Sequence, residues 1–181
     1  LIDKEGKIVY KHFGEGEYDV TENTIRELLG LDADAGAVEA ELPNFNAIQT
    51  REIYFGLSRL EFNSNGERIS GEKQQLTMPT EVPVNEFAVY GNWKFNSESA
   101  ELINGAGKIR LQFSASKVYM VAQSSAEPIT LKIYIDGVFS KEVIVSTSDL
   151  YTLFESDEYK NRTLDIEIPN GGFEAFTFTF G

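Results

Sequence analysis

The sequence of 181 residues contains no cysteine and a single histidine, His12. The missing thiol excludes thiolate catalysis, CxxC redox chemistry, disulfides and cysteine-ligated zinc from this chain. One histidine also excludes a multi-histidine metal centre, and a Ser-His-Asp site would have to use His12. We interpret His12 as an exposed histidine at the end of a strand, with a titrating or metal-binding group as the alternative.

Basic residues are also scarce. The chain has 16 lysines and arginines and 29 acidic side chains, which gives a formal net charge of −13. Nucleic-acid binding is not expected, since neutralising phosphates requires clustered lysine and arginine. No run approaches the roughly 18 consecutive apolar residues of a membrane helix. The hydrophobic share of 41% is nevertheless typical of a globular protein.

The first 30 residues predict two short strands, a polar turn between them at residues 3–6, a loop and a helix. The helix is expected at about Glu22–Leu29, with apolar residues on one face. Two candidate N-caps and a glycine after the last turn delimit it: Asp19, Thr21 and Gly30. Residues 31–49 are rich in small and acidic residues without a sustained period, and we interpret them as a linker.

Strict alternation of apolar and polar residues marks the rest of the chain, residues 50–181. Alternation with period two is clearest in the segments 108–113, 131–136, 164–168 and 176–180. It is typical of antiparallel sheets that expose one face to solvent. The last of these segments predicts a core stripe of Phe176, Phe178 and Phe180. Turns are predicted at four sites: Asn65-Gly66, Asn104-Gly105, Asp136-Gly137 and Asn170-Gly171-Gly172. Roughly ten short strands with such turns favour a mainly β, jelly-roll-like antiparallel β-sandwich.

Two stretches resemble a known family. The opening LIDKEGKIVYKHFGEGEYDVTENTIRELL is similar to the last two strands and final helix of a thioredoxin fold of the TlpA/redoxin type. The remainder resembles the C-terminal domain of DipZ-type thiol–disulfide proteins, through the segments TREIYFGLSRLEF, NEFAVYGNW and GGFEAFTFTFG. The resemblance implies a β-β-α piece of a thioredoxin-like domain at residues 1–30, followed by a carbohydrate-binding-module-like sandwich at residues 50–181.

The same resemblance implies that the chain is a piece of a longer, extracytoplasmic thiol–disulfide oxidoreductase, in the periplasm or cell envelope. The catalytic CxxC of that family and its cis-proline match no position here, so the chain itself is expected to be a non-catalytic accessory or binding domain. Its expected partners are the upstream thioredoxin-like domain, and either a glycan or a redox partner protein. Carbohydrate binding and protein docking both stay open.

Aromatic side chains are the candidates for ligand contact, because exposed tyrosine and tryptophan can cover the apolar face of a sugar. Trp93 follows Gly91-Asn92 at the start of a strand, which favours a core position. Tyr119 and Tyr134 fall on polar-looking registers, which favours surface or inter-domain packing over ligand contact. The complete set of candidates is Tyr90, Trp93, Tyr119 and Tyr134.

Calcium is the one metal that the sequence leaves open. The acidic run Glu15, Glu17 and Asp19 offers oxygen ligands, although its spacing is not that of an EF-hand. A solvated acidic surface is the favoured interpretation, and a structural calcium ion, as sandwiches of the carbohydrate-module kind often hold, is the alternative. No other cofactor is expected.

Overall fold

A computed structural model describes residues 1–11, 18–31, 50–66, 69–125 and 127–181. The chain divides into two compact units, Leu1–Leu42 and Pro43–Gly181. Their boundary falls within the predicted linker at residues 31–49, and the predicted division into residues 1–30, 31–49 and 50–181 stays a prediction.

The N-terminal unit begins with a small hairpin, as its polar turn predicts. Ile2 and Ile8 form an antiparallel bridge. The Asp3 carboxylate accepts hydrogen bonds from the backbone N–H groups of Glu5 and Lys7, at 3.1 and 2.8 Å. Gly6, with φ +82°, provides the left-handed residue that the reversal needs.

Helix α1 spans Tyr18–Leu29 and begins four residues before the predicted start. The two predicted caps are therefore wrong: Asp19 lies in the first turn, where its charge suits the positive end of the helix dipole, and Thr21 lies within the helix. Gly30 ends the helix at φ +68°, as predicted, and Leu31 N–H donates to the Arg26 carbonyl at 2.9 Å. In the described part of the chain, no helix is both long and apolar enough to cross a bilayer.

The second unit is an antiparallel β-sandwich. Its elements are β1 (Ile53–Tyr54), a 3₁₀ helix (Leu57–Arg59), β2 (Lys73–Leu76), β3 (Phe87–Phe95), β4 (Ala100–Ser124), β5 (Ile129–Ile135), β6 (Val138–Val145), β7 (Asp149–Ile168) and β8 (Phe173–Phe180). The hydrogen-bonded order is β1-β8-β4-β7-β5-β6, and β3 joins β2 to β4. The mainly β fold class and the antiparallel sandwich are confirmed.

Strand β4 folds the sheet over on itself. Its first residues pair with β8 through Leu102 and Phe173, and its last residues pair with the same part of β8 through Ser124 and Phe173. The two ends of one straight strand cannot flank a single neighbour, so β4 must bend back across the molecule. A straight strand of 25 residues would also reach about 80 Å, far beyond the size of a domain.

The core lies inside this fold. The predicted inward residues of three segments are buried with no more than 3% exposure, except Ile135, which packs against the core from its edge. They are Ile109, Leu111, Phe113, Leu131, Ile133, Leu164, Ile166 and Ile168. Period-two alternation therefore predicts the inner face of β4, β5 and β7.

The predicted phenylalanine stripe on β8 is wrong at one position. Phe178 is fully buried and Phe180 packs against the core, but Phe176 is only half-buried. A bulge causes the difference: Ala175 lies opposite Ala122 and Thr177 lies opposite Val121, so Phe176 is an extra residue in the strand. The inward residues before the bulge are Phe173 and Ala175.

The turn predictions have mixed outcomes. Asp136 and Gly137, with φ of 52° and 80°, join β5 to β6 as predicted, and residues 170–172 lie between β7 and β8. The turn predicted at Asn104-Gly105 is wrong, because β4 runs through these residues as a bulge. The expectation of about ten short strands is wrong for the same reason: the described residues contain eight strands, two of them of 25 and 20 residues.

Candidate functional site

A groove of about 340 Å³ opens on the polar face of the sheet, over strands β3, β4, β5 and β7. We call it the Tyr90 groove. Its polar lining consists of Tyr90, Lys108, Thr130, Lys132 and Glu167. Its apolar lining consists of Ala106, Gly107, Ile168 and Pro169. A largely apolar concavity with a few convergent polar groups is the usual form of a small-ligand site.

Strand register brings the polar lining together. Tyr90 on β3 lies opposite Lys108 on β4, Lys108 lies opposite Glu167 on β7, and Glu167 lies opposite Lys132 on β5. One cross-strand row thus holds an aromatic ring, two ammonium groups and one carboxylate. Adjacent residues in such a row have their Cβ atoms about 5 Å apart, so the four side chains form one surface.

Glu167 is the centre of the row. Its Oε1 lies 2.9 Å from Lys108 Nζ, and its Oε2 accepts a hydrogen bond from the Tyr134 hydroxyl at 3.2 Å. The bond from Lys108 is the largest effect on the carboxyl, and it lowers the pKa of Glu167 below the ordinary 4.5. Partial burial and the same carboxylate raise the pKa of Tyr134 above 10.0. Glu167 is therefore ionised, and Tyr134 is a neutral donor, at neutral pH.

The next row along the sheet continues the polar face. Arg110 and Asp165 form a bidentate pair at 2.7 and 2.9 Å, and this pair raises the pKa of Arg110. Tyr134 lies opposite Asp165. Its ring meets the half-exposed ring of Phe139 on β6 edge-on, with 5.7 Å between the centroids. The hydrogen bond to Glu167 and the ring contact with Phe139 hold Tyr134 in place.

Two glycines allow strands β3 and β4 to approach closely beside the groove. Gly91 has φ +120°, a conformation that glycine adopts readily, and it lies within the bulge where β3 passes β4. A Cβ at Gly107 would come within 2.7 Å of the buried Leu102 side chain and 3.2 Å of the Tyr90 carbonyl. A larger residue at position 107 would therefore force the buried Leu102 side chain to shift.

Two of the predicted aromatic residues, Tyr90 and Tyr134, lie at or beside the groove. Tyr90 lines the groove with 44% of its surface exposed, and Tyr134 contacts the lining residue Glu167. Trp93 is fully buried, which confirms the predicted core position and leaves it no surface for a ligand. Its indole Nε1 donates to the Tyr90 carbonyl at 2.9 Å, so it supports the groove wall from within.

Tyr119 does not belong to this group. It lies farther along β4, half-buried, opposite Thr152 of β7 and Thr179 of β8. It does not line the groove. The predicted surface packing suits this position better than ligand contact.

Of the acidic residues predicted as calcium ligands, the structure describes one, Asp19. His12, Glu15 and Glu17 lie outside the described residues, and Asp19 lies in the first turn of α1. Among the residues that the structure describes, there is no group of three side chains able to hold a metal ion. The calcium site stays a prediction.

The charged residues of the groove were not predicted as a site. Lys108, Lys132 and Glu167 each occupy an outward position of an alternating segment, which marks them as surface residues and no more. Their proximity depends on register between strands that are far apart in sequence, and no local pattern encodes that register. Tyr90 was a candidate only through its residue type, an aromatic side chain on a predicted strand.

The family described as thioredoxin like C-terminal domain matches residues 50–181. The chain belongs to this family. Two proteins named DipZ, from Mycobacterium bovis and Mycobacterium tuberculosis, are each 29% identical to it over 189 residues, and the match covers the whole chain. The chain spans only 26% of the length of these relatives. The predicted resemblance to DipZ-type proteins is confirmed.

Similar solved structures include two family two carbohydrate esterases. One, an active-site mutant from Clostridium thermocellum, has a TM-score of 0.48 and 14% identity over 52% of this chain and 31% of its own. The other, from Cellvibrio japonicus, has a TM-score of 0.47 and 15% identity over 52% of this chain and 30% of its own.

Proposed function

We propose that this chain is a non-catalytic accessory domain that binds a glycan in the Tyr90 groove. The parent protein would be a DipZ/TlpA-like thiol–disulfide oxidoreductase that acts outside the cytoplasm. The observation that carries the glycan proposal is the row of Tyr90, Lys108, Glu167 and Lys132 across four strands. The family membership supports the link to a redox protein. Because this chain has no cysteine, a redox centre of that protein would lie in another part of it.

The lining of the groove suits a sugar ring. A pyranose has an apolar face, which the Tyr90 ring and the exposed Pro169 can cover. Its hydroxyl groups both donate and accept hydrogen bonds. Lys108 and Lys132 provide donors for them, and Glu167 provides an acceptor.

The residues that line the groove do not favour glycoside hydrolysis. Glycoside cleavage requires two carboxyl groups, one of which is protonated to act as a general acid. Glu167 is the single carboxylate among the lining residues, and the lysine bound to it lowers its pKa. A carboxyl held ionised in this way is a poor proton donor, so the site supports binding rather than catalysis.

Binding can be tested on this chain with a panel of neutral and acidic polysaccharides, with and without EDTA. Trp93 is the only tryptophan and lies one hydrogen bond from Tyr90, so its fluorescence reports on the groove wall. We expect saturable binding that Tyr90→Ala abolishes and Tyr119→Ala retains. Loss of the signal in EDTA would support the predicted calcium ion. No binding to any polysaccharide would overturn the glycan proposal.

A second function, docking of the upstream thioredoxin-like domain, rests on strand β6. This strand ends the sheet on one side and exposes Val138, Phe139 and Ile144, and exposed apolar edges are typical of protein contacts. The expected occupant is the thioredoxin-like part of the same protein, since the relatives extend far beyond this chain. Titrating that domain into this chain should show binding that Phe139→Lys weakens, and no interaction would exclude the docking function.

A further inference from the structure

The charges that line the Tyr90 groove are unbalanced. Lys108 and Glu167 neutralise each other through their contact at 2.9 Å. Lys132 is exposed on the same row, and within the described parts of the chain it forms no ion pair. Glu142 lies opposite Lys132 on β6 but does not line the groove. The lining therefore carries one excess positive charge on a chain whose formal charge is −13.

This excess has a consequence for the ligand. A neutral sugar would offer the Lys132 ammonium only hydroxyl oxygens, and exchanging hydrogen bonds to water for hydrogen bonds to hydroxyls brings little net gain. A carboxylate within reach would gain a charge-assisted hydrogen bond. Glu142, opposite Lys132, is near enough to compete with an anion. Acidic residues farther than about 8 Å would oppose an anion only weakly, because salt screens charges beyond that distance under physiological conditions.

We infer that the groove selects glycans that contain uronic acids, with the uronate carboxylate on Lys132 and the sugar ring on Tyr90. This inference rests on the proposed glycan binding. One excess charge matches the single charge of a carboxylate. The lining lacks the planar arginine fork that favours phosphate recognition.

The arrangement also assigns a separate role to each lysine. Lys108 holds Glu167, and Glu167 in turn holds the Tyr134 hydroxyl, so these groups keep the face of the groove in place. The side chain of Lys132 forms no ion pair with a described residue, and it acts on Glu167 only through its charge, the smallest of the causes that lower the pKa of that carboxyl. Replacement of Lys132 should change ligand selection without affecting the fold.

Calorimetry with an oligogalacturonate and its fully methyl-esterified form tests the inference, because esterification removes the charge of the carboxyl and adds only a methyl group. We expect the free acid to bind at least about tenfold more tightly than the ester. Lys132→Gln should remove this preference, and Lys132→Arg should retain it. The control Lys160→Gln removes an exposed lysine that does not line the groove, and it should leave the preference unchanged.

Equal affinity for acid and ester would overturn the inference, as would a preference that survives in Lys132→Gln. Binding of neutral polysaccharides alone would overturn the uronate selectivity but leave the proposed glycan binding intact. Binding of no glycan at all would overturn both.

Discussion

The side-chain amide of Asn65 pairs with the backbone of Val89 as a neighbouring strand would. Asn65 Oδ1 accepts a hydrogen bond from Val89 N–H at 3.0 Å, and Asn65 Nδ2 donates to the Val89 carbonyl at 2.7 Å. The same Nδ2 also donates to the Thr77 carbonyl at 2.9 Å. One buried side chain thus satisfies two backbone groups of Val89 on strand β3 and the carbonyl of Thr77. Val89 directly precedes Tyr90, so Asn65 supports the strand that carries the Tyr90 ring.

Asn65→Ala should therefore destabilise the domain strongly. It leaves three backbone groups without this partner, and an unsatisfied buried group costs about 1–3 kcal/mol. We expect a loss of at least about 2 kcal/mol in the free energy of unfolding, measured by denaturant melts. Asn161→Ala, at an exposed position on β7, should cost less than about 0.5 kcal/mol. Similar losses in both variants would contradict the assigned role of Asn65.

Phe178→Ala tests the register of strand β8. The ring is fully buried, and its centroid lies 5.1 Å from that of Phe55. Removing it should cost about 3–5 kcal/mol of unfolding free energy. Phe139→Ala, which removes a half-exposed ring, should cost less than about 1 kcal/mol. A loss below about 1 kcal/mol for Phe178→Ala would mean that the register is wrong.

Gly56→Ala tests a close backbone contact. A Cβ at this position would lie 2.3 Å from the Ser97 carbonyl oxygen and 2.4 Å from the Glu98 Cα. Both neighbours are backbone and cannot rotate away, so we expect a loss of about 1–3 kcal/mol. Gly71→Ala is the matched control, because its nearest neighbours would be 3.7 Å away, in ordinary contact. Thermal melts should separate the two variants, and equal melting temperatures would show that the backbones approach less closely.

The residues on the inner face of the sandwich could be predicted from the sequence, but the bulges and the register between distant strands could not. Alternation identifies Ile109 and Leu111 as inward because the period of a strand is a local property. The bulges at Phe176 and at Asn104-Gly105 escaped prediction, because each depends on the residues of a partner strand. The same limit hid the site: Tyr90 was a candidate by residue type, but only the register of four strands brings charged residues to it.

The pair Arg110–Asp165 should contribute more to stability than an exposed pair. Its two hydrogen bonds have fixed geometry, and the side chains are 34% and 13% exposed. A double-mutant cycle with alanine should give a coupling energy of about 1 kcal/mol. The same cycle for Lys160 and Glu158, which are 51% and 66% exposed, should give at most about 0.5 kcal/mol. Equal coupling in both cycles would show that the fixed geometry contributes nothing.

The contacts of Glu167 make stability depend on pH at the acidic end. The folded pKa of Glu167 is lowered, chiefly by the bond from Lys108, so the folded state binds this proton less readily than the unfolded state. The stabilisation is fully present above the ordinary pKa of 4.5 and is lost as the pH falls through the lowered value. Denaturant midpoints for the wild type and Glu167→Gln should therefore differ near neutral pH and converge in acid.

Lys108→Met and Tyr134→Phe separate the two causes of this dependence. NMR titration of the Glu167 carboxyl should show its pKa rising towards 4.5 in Lys108→Met, because the largest cause has been removed. Tyr134→Phe should raise it less, because the tyrosine contributes a weaker hydrogen bond at 3.2 Å. An unchanged carboxyl pKa in Lys108→Met would mean that the ammonium and carboxylate do not pair in solution. The groove would then carry two unpaired ammonium groups, and the distinct role of Lys132 would be lost.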